Sequence, residues 1–218
     1  MIEGGVPLDP YDHTLAVRDN ATNHPYWQLT EVDNAGLRKG SVNMLIGDSE
    51  RFAIEFEVDE EKLADVQLSE WLFGRIRFWC CGQQVGRYEN DTTIRDVAIE
   101  SERLLMNEGK RRDETLASLS AVEVTRIILQ ALYVNHGQSD EQVRLDNERF
   151  GRLVVTPQVD VFDEWRMFLV EAERGGRLIW QRKTDEVVRE CALREGEFDQ
   201  VLKEFLAALR NCASVAMQ

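Results

Sequence analysis

Apolar and polar positions along this chain alternate with a period of two in some stretches and recur every three to four residues in others. In "FAIEFEV", Phe52, Ile54, Phe56 and Val58 alternate with Ala53, Glu55 and Glu57, which predicts a half-buried strand with an acidic outer face. "WLFGRIRFWC" follows, with Leu72, Ile76, Phe78 and Cys80 on one side and Trp71, Phe73, Arg75, Arg77 and Trp79 on the other. A turn at Gly82 in "CGQQ" reverses the chain into "QVGRY", so the segment predicts a hairpin. Beyond "END", Asp91 or Thr92 can cap a helix. Ile94, Val97, Ala98, Ser101, Leu104 and Leu105 then share one face, and Gly109 can end the helix. A second helix is expected through Leu116, Leu119, Val122, Ile127, Leu132 and Tyr133. Residues 138–148 are mostly polar and read as a loop.

The last third repeats this order. "FGRLVV" and "WRMFLVEAE" read as strands, Gly175-Gly176 as a turn, "RLIWQRK" as its partner strand and "EVVREC" as another strand. The segment "GEFDQVLKEFLAALR" predicts an amphipathic helix carrying Phe198, Val201, Leu202, Phe205, Leu206 and Leu209 on one face. Trp71 precedes Gly82 by the same interval that separates Trp165 from Gly176, a spacing that a duplicated unit or two hairpins of similar length would both produce. The fold class expected is α+β. It consists of a mostly antiparallel sheet from two hairpin-plus-helix units, with helices packed on one face, because hairpin-length turns cannot join parallel strands. Residues 1–43 hold three of the four prolines and no sustained period, so they read as an irregular N-terminal extension to a single domain spanning 44–218.

Charge narrows the partners. With 40 acidic and 26 basic side chains the formal net charge is −14, which should repel nucleic acid and anionic membrane and attract a basic partner. No apolar run has the length of a membrane helix, and the N-terminus "MIEGGVPLDPYDH" lacks the basic and apolar regions of a secretory signal. A cytoplasmic protein is therefore expected. Its cysteines (Cys80, Cys81, Cys191 and Cys212) are expected as free thiols, because no CxxC occurs and adjacent strand residues point to opposite faces.

A search for chemistry finds little. The sequence contains no GxGxxG, GxxxxGK[ST], HExxH, GxSxG or EF-hand loop. A nucleophilic pair of Cys81 and His136 has no local support. No cofactor or metal site is expected. The carboxylates Glu55, Glu57, Asp59, Glu60 and Glu61, with Glu171 and Glu173, could serve a hydrolase only if one lay in an apolar pocket with a raised pKa. Alternating carboxylates on a strand more often form a solvated face, and lysines at Glu55 and Glu57 would then leave the fold intact.

With these residues laid out, "MLIGDSERFAIEFEVDE", "WLFGRIRFWCCGQQVGRY" and "TTIRDVAIESERLL" resemble the immunity protein 42 family of bacterial polymorphic-toxin systems. The matching positions are Ile46, Gly47, Asp48, Phe52, Ala53, Ile54, Glu55, Trp71, Gly74, Trp79, Gly86, Tyr88, Thr92, Arg95 and Asp96. The likeness covers 44–105 well and departs at Cys80-Cys81. It implies a non-enzymatic protein that binds one cognate toxin or effector domain, a nuclease with a basic cleft among the candidates, and blocks its active site or substrate groove. On that reading the seven carboxylates named above are the candidate partner-binding residues. The alternative is a small cytoplasmic enzyme with a carboxylate-based site.

Overall fold

The computed structural model describes residues 41–65 and 69–216. Residues 1–40 of the expected extension lie outside them, and 41–43 open the first strand. The first sheet is built from β1 (Ser41–Asp48), β2 (Phe52–Asp59), β3 (Phe73–Cys80) and β4 (Gln83–Val85) in that order. The short β5 (Thr92–Thr93) also pairs with β3, and every pairing is antiparallel. Between β2 and β3 run the single-turn α1 (Glu60–Leu63) and a 3-10 turn at Ser69–Trp71. A two-residue turn joins β3 to β4. Cys81 (φ 49°) and Gly82 (φ 72°) both take the left-handed conformation that a type I′ hairpin requires.

After α2 (Ile94–Leu105) come α3 (Glu114–Ala117), α4 (Ala121–Tyr133) and α5 (Asp140–Phe150). The second sheet follows, ordered β6 (Trp165–Ala172), β7 (Gly175–Arg182) and β8 (Arg189–Leu193), again antiparallel, and α6 (Glu197–Ala216) comes last. The α+β class holds, with the strands divided between two sheets.

Ring packing shows how the layers meet. The inner face of the first sheet receives α6: Phe52 stacks on Phe198 with ring centroids 4.7 Å apart, and Phe56 meets Phe205 edge-on at 5.2 Å. Each fully buried phenylalanine contributes about 1.5–3 kcal/mol of burial free energy. Met167, Leu169, Leu178 and Trp180 of the second sheet join this core, together with Val97 and Leu104 of α2. The opposite face of the second sheet, through Phe168, Val170 and Ile179, packs on Leu116, Val124, Ile128 and Phe150 of the α3–α5 layer. The second sheet is thus apolar on both faces, which explains the unbroken run Met167–Val170. A buried ion pair fastens the layers. Arg111 donates to both carboxylate oxygens of Asp199 at 2.8 and 3.1 Å and to the carbonyl of Leu104.

Three segments differ from the sequence expectation. Residues 140–150 form a helix instead of a loop. Ser139 caps it, Arg144 bridges Glu141 and Glu148 along its surface, and among its residues only Phe150 is buried, so no apolar stripe announced it. "FGRLVV" is a 3-10 turn at Gly151–Leu153 in which Val154 makes an isolated bridge to Phe168. The single helix expected over 116–133 is split, because Ser120 begins a new one with a reciprocal capping box to Glu123.

The thiol expectation is also corrected. Cys81 and Cys191 form a disulfide, leaving Cys80 and Cys212 free. Local spacing correctly separated Cys80 from Cys81 but carried no information about β8, which the fold brings to the β3–β4 turn. Among the described residues no helix is long and apolar enough to cross a membrane.

Candidate functional site

The outer face of the first sheet is assembled by strand register. β2 and β3 align so that Glu55 stands opposite Arg77, Glu57 opposite Arg75 and Ala53 opposite Trp79. These are the outward positions of two alternating strands, so the four charged side chains meet in cross-strand pairs. Arg75 Nη2 donates to both oxygens of Glu57 at 2.7 and 2.6 Å. Arg77 grips Glu55 with two nitrogens, Nε at 2.8 Å and Nη2 at 3.0 Å, and donates a third hydrogen bond from Nη1 to Gln84 Oε1 at 3.0 Å. Trp79 Nε1 donates to Glu55 Oε2 at 2.7 Å. The Arg77 guanidinium lies 4.3 Å from the Tyr88 ring centroid and 4.7 Å from that of Trp79, and Arg75 lies 5.2 Å from Tyr88.

The result is a fixed plate of carboxylates, guanidiniums and rings. Burial opposes ionisation of Glu55, but hydrogen bonds from Arg77 and Trp79 outweigh it and hold the carboxyl below its usual range. The hydrogen bond from Arg75 to Glu57 raises the pKa of that arginine. Burial, reinforced by the charges of Glu55 and Glu57, pushes the Tyr88 phenol up to about 12.

Around this plate stand more exposed groups. Leu45, opposite Glu55 on β1, is 42% exposed, and Trp71 is 41% exposed beneath the Arg95 guanidinium at 4.0 Å. Asp59 caps α1, accepting hydrogen bonds from the backbone N–H groups of Glu61 and Lys62 at 3.1 and 3.3 Å. Glu60 and Glu61 are exposed or nearly so at the end of β2, and Lys62 pairs with Asp91.

The expected carboxylates therefore divide into three groups. Glu55 and Glu57 lie on the outer face as expected, yet each is closed by an arginine. Asp59, Glu60 and Glu61 form its rim. Glu171 and Glu173 belong to the second sheet and its β6–β7 turn. Burial and the nearby charge of Asp199 push the Glu171 carboxyl up, and the exposed Glu173 lies 4.0 Å from Arg112. Arg75, Arg77, Trp79, Gln84 and Tyr88 were not among the partner-binding candidates, although Trp79 and Tyr88 are among the positions that match the family. Aligning the Glu-x-Glu of β2 antiparallel to the Arg-x-Arg of β3 would have found the central pairs.

Among the described residues no group of three or more His, Cys, Asp or Glu could hold a metal ion. Cys80 is fully buried and its thiol is pushed far above the usual range by that burial. The Cys81 sulfur is committed to Cys191, which removes the Cys81–His136 pair.

Comparison with known proteins assigns the fold. A crystal structure of CdiI from Burkholderia dolosa AUO158 is similar at a TM-score of 0.59 and 21% identity, covering 76% of this chain and 99% of that one. At that identity the likeness speaks for the fold alone. No curated protein matches the chain significantly. The model of the family described as Immunity protein 42 matches residues 44–208, both sheets and most of α6 included. This span exceeds half of the chain, so the protein belongs to the Immunity protein 42 family.

Proposed function

We propose that this immunity protein neutralises a cognate bacterial toxin domain without catalysis, in the cytoplasm. It binds the toxin one-to-one through the outer face of the first sheet and covers the toxin's active site or substrate groove. The observation that carries the reading is the family match across 44–208, which includes Glu55, Glu57, Arg75, Arg77, Trp79 and Tyr88.

Three features support this face. The second sheet has both faces covered, and the inner face of the first is occupied by α6 and α2, so the Glu–Arg plate is the sheet face left without a covering layer among the described residues. Its centre consists of Trp, Tyr and Arg, the residue types that dominate binding hot spots. Arg75, Arg77 and Trp79 are already held by hydrogen bonds to Glu57 and Glu55, and the Tyr88 ring lies against both guanidiniums, so little ordering entropy is lost on docking. Because Arg75 and Arg77 neutralise Glu55 and Glu57, long-range attraction to a basic cleft comes from the rim carboxylates Glu60 and Glu61 and from the net charge of −14.

The test is the binding kinetics of two variants against the cognate toxin domain. The double substitution Glu60→Lys and Glu61→Lys is expected to slow association several-fold at low salt and much less at high salt. Leu45→Asp, at an exposed position beside the plate, is expected to speed dissociation at least tenfold with the thermal midpoint little changed. Affinity unaltered by both would move the interface off this face.

A further inference from the structure

The Cys81–Cys191 bond ties the turn at one end of the first sheet to the last strand of the second. Its two sulfurs occupy different environments. Cys81 is exposed in the two-residue turn, whereas Cys191 is 4% exposed on β8 with its sulfur 3.7 Å from the Arg51 carbonyl. Both parts are also held independently of the bond. Cys81 N–H donates to Arg51 O at 2.9 Å and Gly82 N–H to Ser49 O at 2.7 Å, which fixes the β3–β4 turn against the β1–β2 turn. Cys191 is paired with Leu178 in the β7–β8 ladder, and the two sheets share one apolar core.

From this asymmetry we infer that Cys81–Cys191 is a reversible thiol–disulfide exchange site, whose reactants are low-molecular-weight thiols and whose point of attack is the Cys81 sulfur. A thiolate bonds to Cys81 Sγ while the Cys81–Cys191 bond breaks, and Cys191 leaves with the electron pair and takes up a proton. A second thiol attacks the mixed disulfide, releasing Cys81 as a thiol. The protein gains two electrons and two protons, and two reagent thiols become one disulfide. The reverse reaction uses an oxidised disulfide. Opening releases a clasp between the sheets and leaves both ladders and the shared core in place, so the protein survives either state. The inference does not depend on the toxin-binding reading.

Alkylation and mass analysis of the full chain, purified in air, test it. Unfolded without reductant, the chain is expected to show two alkylatable thiols, Cys80 and Cys212. Treated with millimolar dithiothreitol under native conditions, it is expected to become alkylated at Cys81 at least ten times faster than at Cys191, with an unchanged far-UV spectrum. Glutathione disulfide should then restore the bond. A Cys191→Ser variant should capture glutathione at Cys81 when exposed to the same oxidant. Four alkylatable thiols in the unreduced, unfolded chain would overturn the inference. So would a bond that dithiothreitol opens only after denaturant is added.

Discussion

Glu55 shows how a surface position becomes structural. Its carboxylate accepts two hydrogen bonds from Arg77 and one from Trp79, and these outweigh the desolvation that burial imposes. The folded carboxyl therefore titrates below its unfolded value of about 4.3. A group depressed in this way contributes stability that is fully present above the unfolded value and is lost as pH falls through the folded one. Glu55→Gln should accordingly destabilise the protein at neutral pH by about 1 kcal/mol, after allowing for the screening that a partly exposed pair feels. Chemical denaturation of both proteins between pH 7 and pH 3 checks it: the difference should shrink once pH drops below about 4.3. A difference constant over that range would mean that the ionised carboxylate contributes nothing. The same geometry revises the expectation for lysine at this position. Lysine would set a like charge against Arg77 and disturb the fold, which makes it a poor probe of binding.

At the scale of elements, Gly74 shows why one of the family-matching positions holds a glycine. It lies on the inner side of β3 opposite Val58, between β2 and the first residue of α2. A Cβ there would sit 1.8 Å from the Glu57 carbonyl oxygen and 2.7 Å from Ile94 Cδ1, so neither the β2–β3 ladder nor the docking of α2 has room for it. Gly74→Ala is expected to lower stability by more than about 2 kcal/mol, an overpacking effect against backbone that cannot yield. Equilibrium unfolding measures it, and a loss below about 0.5 kcal/mol would show that the strands can separate at little cost.

Elements with a clean period were legible in the sequence. β2, β3, α2 and α6 bury the faces that their patterns indicated, Phe198, Val201, Leu202, Phe205, Leu206 and Leu209 among them. Those fixed by local polar contacts were not. α5 lacks an apolar stripe, and the break at Ser120 depends on a capping box inside a run that otherwise reads as continuous helix. The site was half legible. Period two placed Glu55 and Glu57 on the outer face, but which arginine closes each carboxylate is a matter of register between strands, as the partner of Cys81 is a matter of how two sheets meet.

In the whole molecule the two sheets act as one body. They share an apolar core, the buried Arg111–Asp199 pair joins the α2–α3 link to the first turn of α6, and the disulfide closes one end. Removing one partner of a buried ion pair is far more damaging than the net contribution of the pair, which makes Arg111 and Asp199 unsuitable for functional tests. The arrangement leaves the Glu–Arg plate on a sheet whose inner face is backed by that shared core.

Calorimetric titration of the purified chain into its cognate toxin domain tests the central claim most directly, with residual toxin activity followed at every point. The account predicts a single binding event at a ratio of one to one, with toxin activity falling in proportion to the complex formed and the toxin recovered chemically unchanged after dissociation. Binding without inhibition would contradict it, as would inhibition by substoichiometric amounts of this chain.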